Sequence, residues 1–257
     1  TEALMRGIDS HRQTDLALQE AKRRADAASQ AKTRYVTAIS HELRTPLNSI
    51  LGYAQLLEED ASLPPHRRHA VSVIRRGGDH LLSLIEGTLD VARIEAGKLR
   101  LQVAPMRFAA CMAEIAQMFE LQAQAKGIRF MAELEPGLPA WVRADEPRLR
   151  QILINLLGNA VKFTPQGEVR LRVRHQREMA WIDIVDSGPG RSAEELERVF
   201  EPFTRGSAAG GASAGGTGLG LTISKMLTEL MGGEMTARSA PGQGSTFSLK
   251  LFLPEQA

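Results

Sequence analysis

LPPHRRHAVSVIRRGGDHLLSLIEGTLDVARIEAG, residues 63–97, decides the architecture of this chain. Leu63-Pro64-Pro65 stops any helix that precedes it, because proline lacks an N–H and clashes with the previous turn. Ala70, Ile74, Gly77, Leu81, Leu84 and Val91 then recur at helical spacing, and Leu82, Ile85 and Ala92 widen the apolar stripe. Upstream of the prolines, Leu47, Ile50, Leu51, Ala54 and Leu57 mark an apolar face on an earlier helix. The segment is therefore the second arm of an all-α antiparallel hairpin. Both stripes are too broad to be covered by each other. A homodimer, in which two hairpins close into a four-helix bundle, is the expected solution. The alternative is that the following domain covers the stripe.

Residues 1–30 are polar and alanine-rich, with a weak heptad through Leu18, Ala21, Ala25, Ala28, Tyr35 and Ile39. Small residues at those positions bury little, so this stretch is marginal as an isolated helix. It begins without Met and reads as a coiled-coil linker from a longer protein, whose upstream part could be sensory or membranous. The expected domains are 1–30 as linker, 31–97 as helical hairpin and 98–257 as a separate folded unit.

Beyond Gly97 the pattern changes to strands alternating with helices. Leu99–Val103 reads as a strand stopped by Pro105, followed by a helix over Phe108–Lys126 and a strand over Ile128–Glu133. Trp141–Ala144 is a short strand, and Asp145 is a good N-cap for a helix through Leu157. Val169–Arg174 and Ala180–Val185 alternate as an antiparallel hairpin. Helices near Ala193–Val199 and over Leu219–Met231 precede closing strands Glu234–Ser239 and Ser245–Leu253. Mixed strands with helices on one face predict an α+β sandwich.

A formal net charge of +2 over 257 residues gives no field that would recruit nucleic acid. The single cysteine, Cys111, excludes an internal disulfide, fits a reducing cytoplasm and reads as a small core residue. No run of about 18 apolar residues occurs, so any membrane link must lie outside this segment.

Four pieces of the second unit carry chemistry. Asn155 and Asn159, in Asn155-Leu-Leu-Gly-Asn159-Ala-Val-Lys162-Phe163, share one helix face and could ligate a metal or hold a water network. Asp186-Ser-Gly188-Pro-Gly190 ends an apolar strand, where a carboxylate can accept from an amino group such as that of adenine. Phe200-Glu-Pro-Phe203 reads as an anchor pinning a loop to the core. Gly210-Gly211 and Gly215-Gly216-Thr217-Gly218-Leu219-Gly220 open into a helix, and exposed N–H groups there make a phosphate site. The small, polar stretch between Gly190 and Gly216 could close as a lid.

In order and spacing these pieces resemble the nucleotide site of the GHKL (Bergerat-fold) ATPases, which unite histidine kinases with gyrase-type topoisomerases. The resemblance covers Leu99 to Leu253. It implies that Asn159 ligates Mg²⁺, that Asn155 supports metal and phosphates, and that Lys162 contacts phosphate. It likewise implies that Asp186 receives the adenine amino group, that the Gly218–Leu219 backbone meets the phosphates, and that Thr246 sits beside the base. Phe163, Gly188, Gly190, Gly216, Thr217 and Gly220 complete the implied ATP-binding set. The hydrolysing branches of the family carry glutamate at the position of Asn155. An amide cannot take a proton, so this site is expected to hold ATP for transfer. Arg191 departs from the family, which has an apolar residue there, with an effect on lid packing or affinity that the residues leave open.

Ser40-His41-Glu42-Leu43-Arg44-Thr45-Pro46-Leu47-Asn48 lies on the first hairpin helix. Imidazole is a good nucleophile near neutral pH, and adjacent Glu42 is a candidate acceptor for the proton it sheds. Consecutive helix residues do not share a face, so Glu42 must curl toward the ring. Pro46 frees a backbone carbonyl and should kink the helix. The segment resembles the H-box of sensor histidine kinases. The resemblance implies that His41 is the phosphoacceptor, that Thr45 orients a water for dephosphorylation, and that the partners are a second copy and a response-regulator receiver domain. The competing expectations are a nucleotide-gated clamp ATPase and a catalytically silent signalling module.

Overall fold

The computed structural model describes residues 2–60, 62–204 and 217–256, with side chains on the first helix described from Leu18 onward except at 25, 26, 29, 30 and 32. The chain divides into two compact units, Thr1–Leu99 and Arg100–Ala257.

The first unit is a helical hairpin of α1 (Glu2–Glu59) and α2 (Pro65–Glu95). Pro46 lies inside α1 without ending it. At the turn, the Asp60 carboxylate accepts from the Ser62 N–H (2.8 Å) and hydroxyl (2.7 Å), which holds that carboxyl below its ordinary value. Pro65 starts α2, where a missing N–H costs nothing.

The seam between the helices repeats every seven residues, with Gly87 and Leu89 of α2 buried as well. Thr33, Ser40, Leu47 and Ala54 are buried on α1, against Val71, Gly78, Ile85 and Ala92 on α2. Gly78 packs closely on α1: a Cβ there would stand 2.6 Å from Leu51 Cδ2. This seam matches the stripe expected for α2 only in part, at Ile85 and Ala92. Ala70, Ile74, Gly77 and Leu81 are exposed, and the buried row is displaced around the helix by about one residue. Leu43, Ile50 and Leu57 on α1, with Ile74 and Leu81 on α2, therefore form a further apolar face, each residue 45–54% exposed. The hairpin closes one seam and leaves another uncovered.

The second unit contains β1 (Ala104–Arg107), α3 (Phe108–Lys126), β2 (Arg129–Leu134), β3 (Trp141–Ala144), α4 (Glu146–Phe163), β4 (Glu168–Gln176) and β5 (Met179–Asp186). It continues with α5 (Ala193–Glu197), α6 (Gly220–Leu230), β6 (Glu234–Ser239) and β7 (Ser245–Phe252). Five strands form a sheet in the order β2-β4-β5-β7-β6, antiparallel except for the β2–β4 pair. Alternate residues of β4, β5 and β7, such as Leu171, Ile182 and Leu249, are buried beneath α3, α4 and α6. Phe108, Met112, Ile115 and Phe119 of α3 and Leu149, Ile152, Leu153 and Leu156 of α4 fill the layer between. Cys111 is one of these core residues, and burial pushes its thiol up to about 11, which keeps it protonated.

Two elements differ from expectation by more than two residues. Leu99–Val103 is not a strand: the Leu99 N–H returns to the Arg93 carbonyl and the Gln102 N–H goes to the Asp145 carboxylate. The strand instead spans Pro105, which pairs with Arg143 of β3. The Arg143 N–H points away to the Pro254 carbonyl, so this pair exchanges no ladder bond and the missing proline N–H is not needed. Helix α4 runs six residues past Leu157, to Phe163. Lys126 Nζ caps it there, donating to the carbonyls of Val161 (2.5 Å) and Lys162 (2.7 Å).

Candidate functional site

Helix α4 sets the first wall of the site. Asp145 starts it by accepting the Arg148 N–H (3.1 Å), and its apolar face turns Leu149, Ile152, Leu156 and Ala160 into the core. That rotation leaves Asn155, Asn159 and Lys162 together on the other side. The two asparagines are not equivalent. Asn155 Nδ2 donates to the buried Ser224 hydroxyl of α6 at 2.7 Å, and Asn155 Oδ1 lies where a Cβ on Gly220 would come within 2.2 Å. Asn155 is thus locked between α4 and the start of α6. Among the described residues the half-buried Asn159 amide has no hydrogen-bond partner. Lys162 is exposed, with Nζ 4.8 Å from the Phe163 ring centre.

Strand β5 delivers Asp186 to its end. The residue is 8% exposed, and burial raises its carboxyl above the ordinary value. Hydrogen bonds from the Gly188 N–H (2.9 Å) and from Ser245, with the positive charge of Arg191, act in the opposite direction. Arg191, the departure from the family pattern, is therefore felt at Asp186. The β5–β7 register pairs Asp186 with Ser245, and the two share one face of the sheet. Thr246 pairs with Val185 and so points to the opposite face. It is Ser245, the neighbour of Thr246, that meets the Asp186 carboxylate.

The loop after Asp186 is fitted tightly. Gly188 has no room for a Cβ, which would stand 2.8 Å from both Asp186 Oδ1 and the Phe163 carbonyl. Gly190 has φ of 70° and packs on the Ala240 carbonyl, where a Cβ would stand 1.9 Å away. On the other wall, Gly218 (φ 70°) passes against the backbone of Phe203, and Thr217 Oγ1 accepts the Leu219 N–H at 3.2 Å. Helix α6 then starts at Gly220, its first N–H groups aimed back toward this cradle. Gly210, Gly211, Gly215 and Gly216 lie outside the described residues, as does most of the expected lid.

Phe200 and Phe203 behave differently. Phe200 is half-buried with its ring edge-on to Phe247, centroids 6.4 Å apart. Phe203 is 62% exposed and does not pin the loop by its side chain, because φ of 62° turns it outward. Its backbone N–H does the holding, donating to the Gly218 carbonyl at 3.0 Å.

In the helical unit, His41, Glu42 and Thr45 are all exposed and off the seam. The Thr45 hydroxyl donates to the His41 carbonyl at 3.3 Å, which ties the two into one turn. Among the described residues Glu42 makes no hydrogen bond to His41, as expected for consecutive helix positions. Ser224, Ser245 and Lys126 are structural partners of the site that motif reading missed. Only contacts distant in sequence reveal them.

The donor set fits a nucleotide better than a standing metal centre. Among the described residues no three His, Cys, Asp or Glu side chains gather to hold a metal ion. The Asn159 amide oxygen could supply a single neutral ligand to a hard cation whose other positions are filled by phosphate oxygens and water. Among the described residues no helix is long and apolar enough to cross a membrane.

Residues 31–97 match the His Kinase A (phospho-acceptor) domain family, and residues 144–255 match the family of histidine kinase-, DNA gyrase B- and HSP90-like ATPases. The aerobic respiration control sensor protein ArcB of Escherichia coli (strain K12) is 40% identical over 243 residues, 93% of this chain and 31% of that protein. The autoinducer 2 sensor kinase/phosphatase LuxQ of Vibrio parahaemolyticus is 36% identical over 250 residues, 95% of this chain and 29% of that protein. Among solved structures, full-length ShkA in complex with AMPPNP superimposes with a TM-score of 0.73 at 36% identity, covering 87% of this chain and 46% of that one. The chain therefore spans about three tenths of the length of the curated relatives it matches.

Proposed function

The chain belongs to the sensor histidine kinases, and from that premise we propose that it phosphorylates His41 with ATP and passes the phosphoryl group to a receiver-domain aspartate. We assign 1–30 as linker, 31–97 as the dimerisation and phosphotransfer domain, and 98–257 as the catalytic ATP-binding domain. The work is placed in the cytoplasm, where ATP is available. A membrane anchor, if there is one, belongs to sequence outside this segment.

The observation that carries the reading is the state of Asn155. Its Nδ2 donates to the Ser224 hydroxyl, and an amide has no basic site, so the residue at the hydrolytic position has nothing with which to deprotonate water. Asp186 accepts the exocyclic amino group of adenine, while Gly188 and Gly190 let the backbone come close to the base. Lys162 and the N–H groups at the start of α6 hold the phosphates, next to Thr217, Gly218, Leu219 and Gly220. Asn159 is the residue that would hold Mg²⁺, which supplies neutralisation of phosphate charge when bound. A His41 ring nitrogen forms the new N–P bond as the bond from the γ-phosphorus to the bridging oxygen of ADP breaks, and the ring proton passes to Glu42. Thr45, hydrogen-bonded within the same turn, positions a water for the reverse hydrolysis. A kinase/phosphatase among the relatives is consistent with that second activity.

Incubation with γ-labelled ATP and Mg²⁺ should leave label on the protein in an acid-labile, base-stable form, as expected for phosphohistidine. Release of inorganic phosphate with no label retained would favour the clamp ATPase and sink the proposal. Thr45→Ala should keep autokinase activity within about twofold and lower phosphatase activity by about tenfold or more, since only the second reaction needs a positioned water. An equal loss of both would remove the separate role.

A further inference from the structure

Ser239 is the last residue of β6 and half-buried, and the proposed mechanism gives it no role. Its hydroxyl nevertheless has three partners, one in the loop after Asp186 and two adjacent residues where β7 begins. It accepts the Arg191 N–H at 2.8 Å, donates to the Gly244 carbonyl at 2.8 Å, and lies 3.1 Å from the Ser245 hydroxyl. Ser245 is in turn the cross-strand partner of Asp186 and hydrogen-bonds to it. The β6–β7 turn also holds the same loop through the Gly242 N–H, which donates to the Pro189 carbonyl at 2.7 Å.

A hydroxyl has one proton, so the arrangement can be counted. With the Ser245 proton given to Asp186, the Ser239 proton is shared between Gly244 and the Ser245 oxygen, and a lone pair of Ser239 receives Arg191. The single Ser239 proton thus serves both Gly244 and Ser245, and links the Arg191 N–H to the Ser245 hydroxyl that donates to Asp186. We propose that Ser239 is a positioning residue for adenine recognition: it fixes the loop after Asp186 to the β6–β7 turn and aims Ser245 at the Asp186 carboxyl. The proposal rests on the assignment of Asp186 to the adenine amino group.

The consequence is selective. Inosine triphosphate carries a carbonyl where adenine carries the amino group, so it gains nothing from a well-placed Asp186. Titration calorimetry of the whole chain with ATP and with inosine triphosphate should give a wild type that prefers ATP. In Ser239→Ala the ATP affinity should fall about fivefold, the worth of one hydrogen bond, while inosine triphosphate affinity changes less than about twofold. Ser239→Thr keeps the hydroxyl and should restore the preference. If the alanine variant does not fold, Ser239→Cys, nearly the same size and a poor donor, should show the same narrowing. Parallel loss of both nucleotides, or no loss of ATP affinity, in a variant of a discriminating wild type would overturn the role of Ser239 alone. A wild type that binds both nucleotides alike would overturn the Asp186 assignment, and this proposal with it.

Discussion

His41→Gln leaves the nucleotide bound and no phosphate on the protein. Label retained from γ-labelled ATP should drop at least about 10³-fold, as when a nucleophile is removed outright. The affinity for nucleotide, measured by calorimetry, should stay within about twofold, because the residues assigned to ATP belong to the other compact unit. Stability should also be little changed. His41 is exposed, takes no part in the seam of Thr33, Ser40, Leu47 and Ala54, and glutamine is at least as good a helix former. A folded variant that still carries acid-labile label would show that a histidine other than His41 accepts the phosphoryl group.

Asp186→Asn should move stability and binding in opposite directions. Burial raises the Asp186 carboxyl, so the folded state binds a proton more readily than the unfolded chain does. The favourable contribution of this group is then fully present below the unfolded value of 3.8 and is lost as pH rises through the raised folded value. At neutral pH the charge is a cost, and the neutral amide should raise the melting temperature slightly or leave it unchanged. Nucleotide affinity should fall about 30- to 100-fold, because a hydrogen bond to a charged acceptor is lost and an amide N–H₂ faces another donor. In the wild type, affinity should decline on acidification, beginning at a higher pH than an ordinary carboxylate would give, and this decline should be weaker in the asparagine variant. Unaltered affinity in Asp186→Asn would remove Asp186 from the base pocket.

Much of the architecture was legible because it depends on local signals. Pro64-Pro65, Gly127 and Asp145 each act within a few residues, and the ends of α3 and β3 fall where those signals place them. What failed depends on partners far along the chain. The period of α2 and the places of Ile85 and Ala92 could be read, but the exposure of Ala70, Ile74, Gly77 and Leu81 could not, since Gly78 and not Gly77 faces Leu51. The length of α4 depends on a cap supplied by Lys126, 35 residues from the carbonyl it bonds. Arg177 and Glu178 make the two-residue turn between β4 and β5 with φ of 50° and 64°, a conformation that Asn-Gly would have announced and these residues do not. At the site, Asp186 and the two asparagines could be singled out as candidates from residue type and spacing. The choice of Ser245 over Thr246 could not, because a strand turns adjacent residues to opposite faces and only the register with β5 selects between them.

Strand β5 has a further use that follows from its two ends. Asp186 is at one end, and at the other the chain terminus is tied down, with Leu253 bonded to Glu178, Arg143 to Pro254 and Gln256 to Trp141. Eight residues of extended chain put about 24 Å between those ends. A fluorophore, affinity handle or surface tether joined near Leu253, which bonds Glu178, is thereby held about a strand's length from Asp186 and leaves the proposed nucleotide site unobstructed.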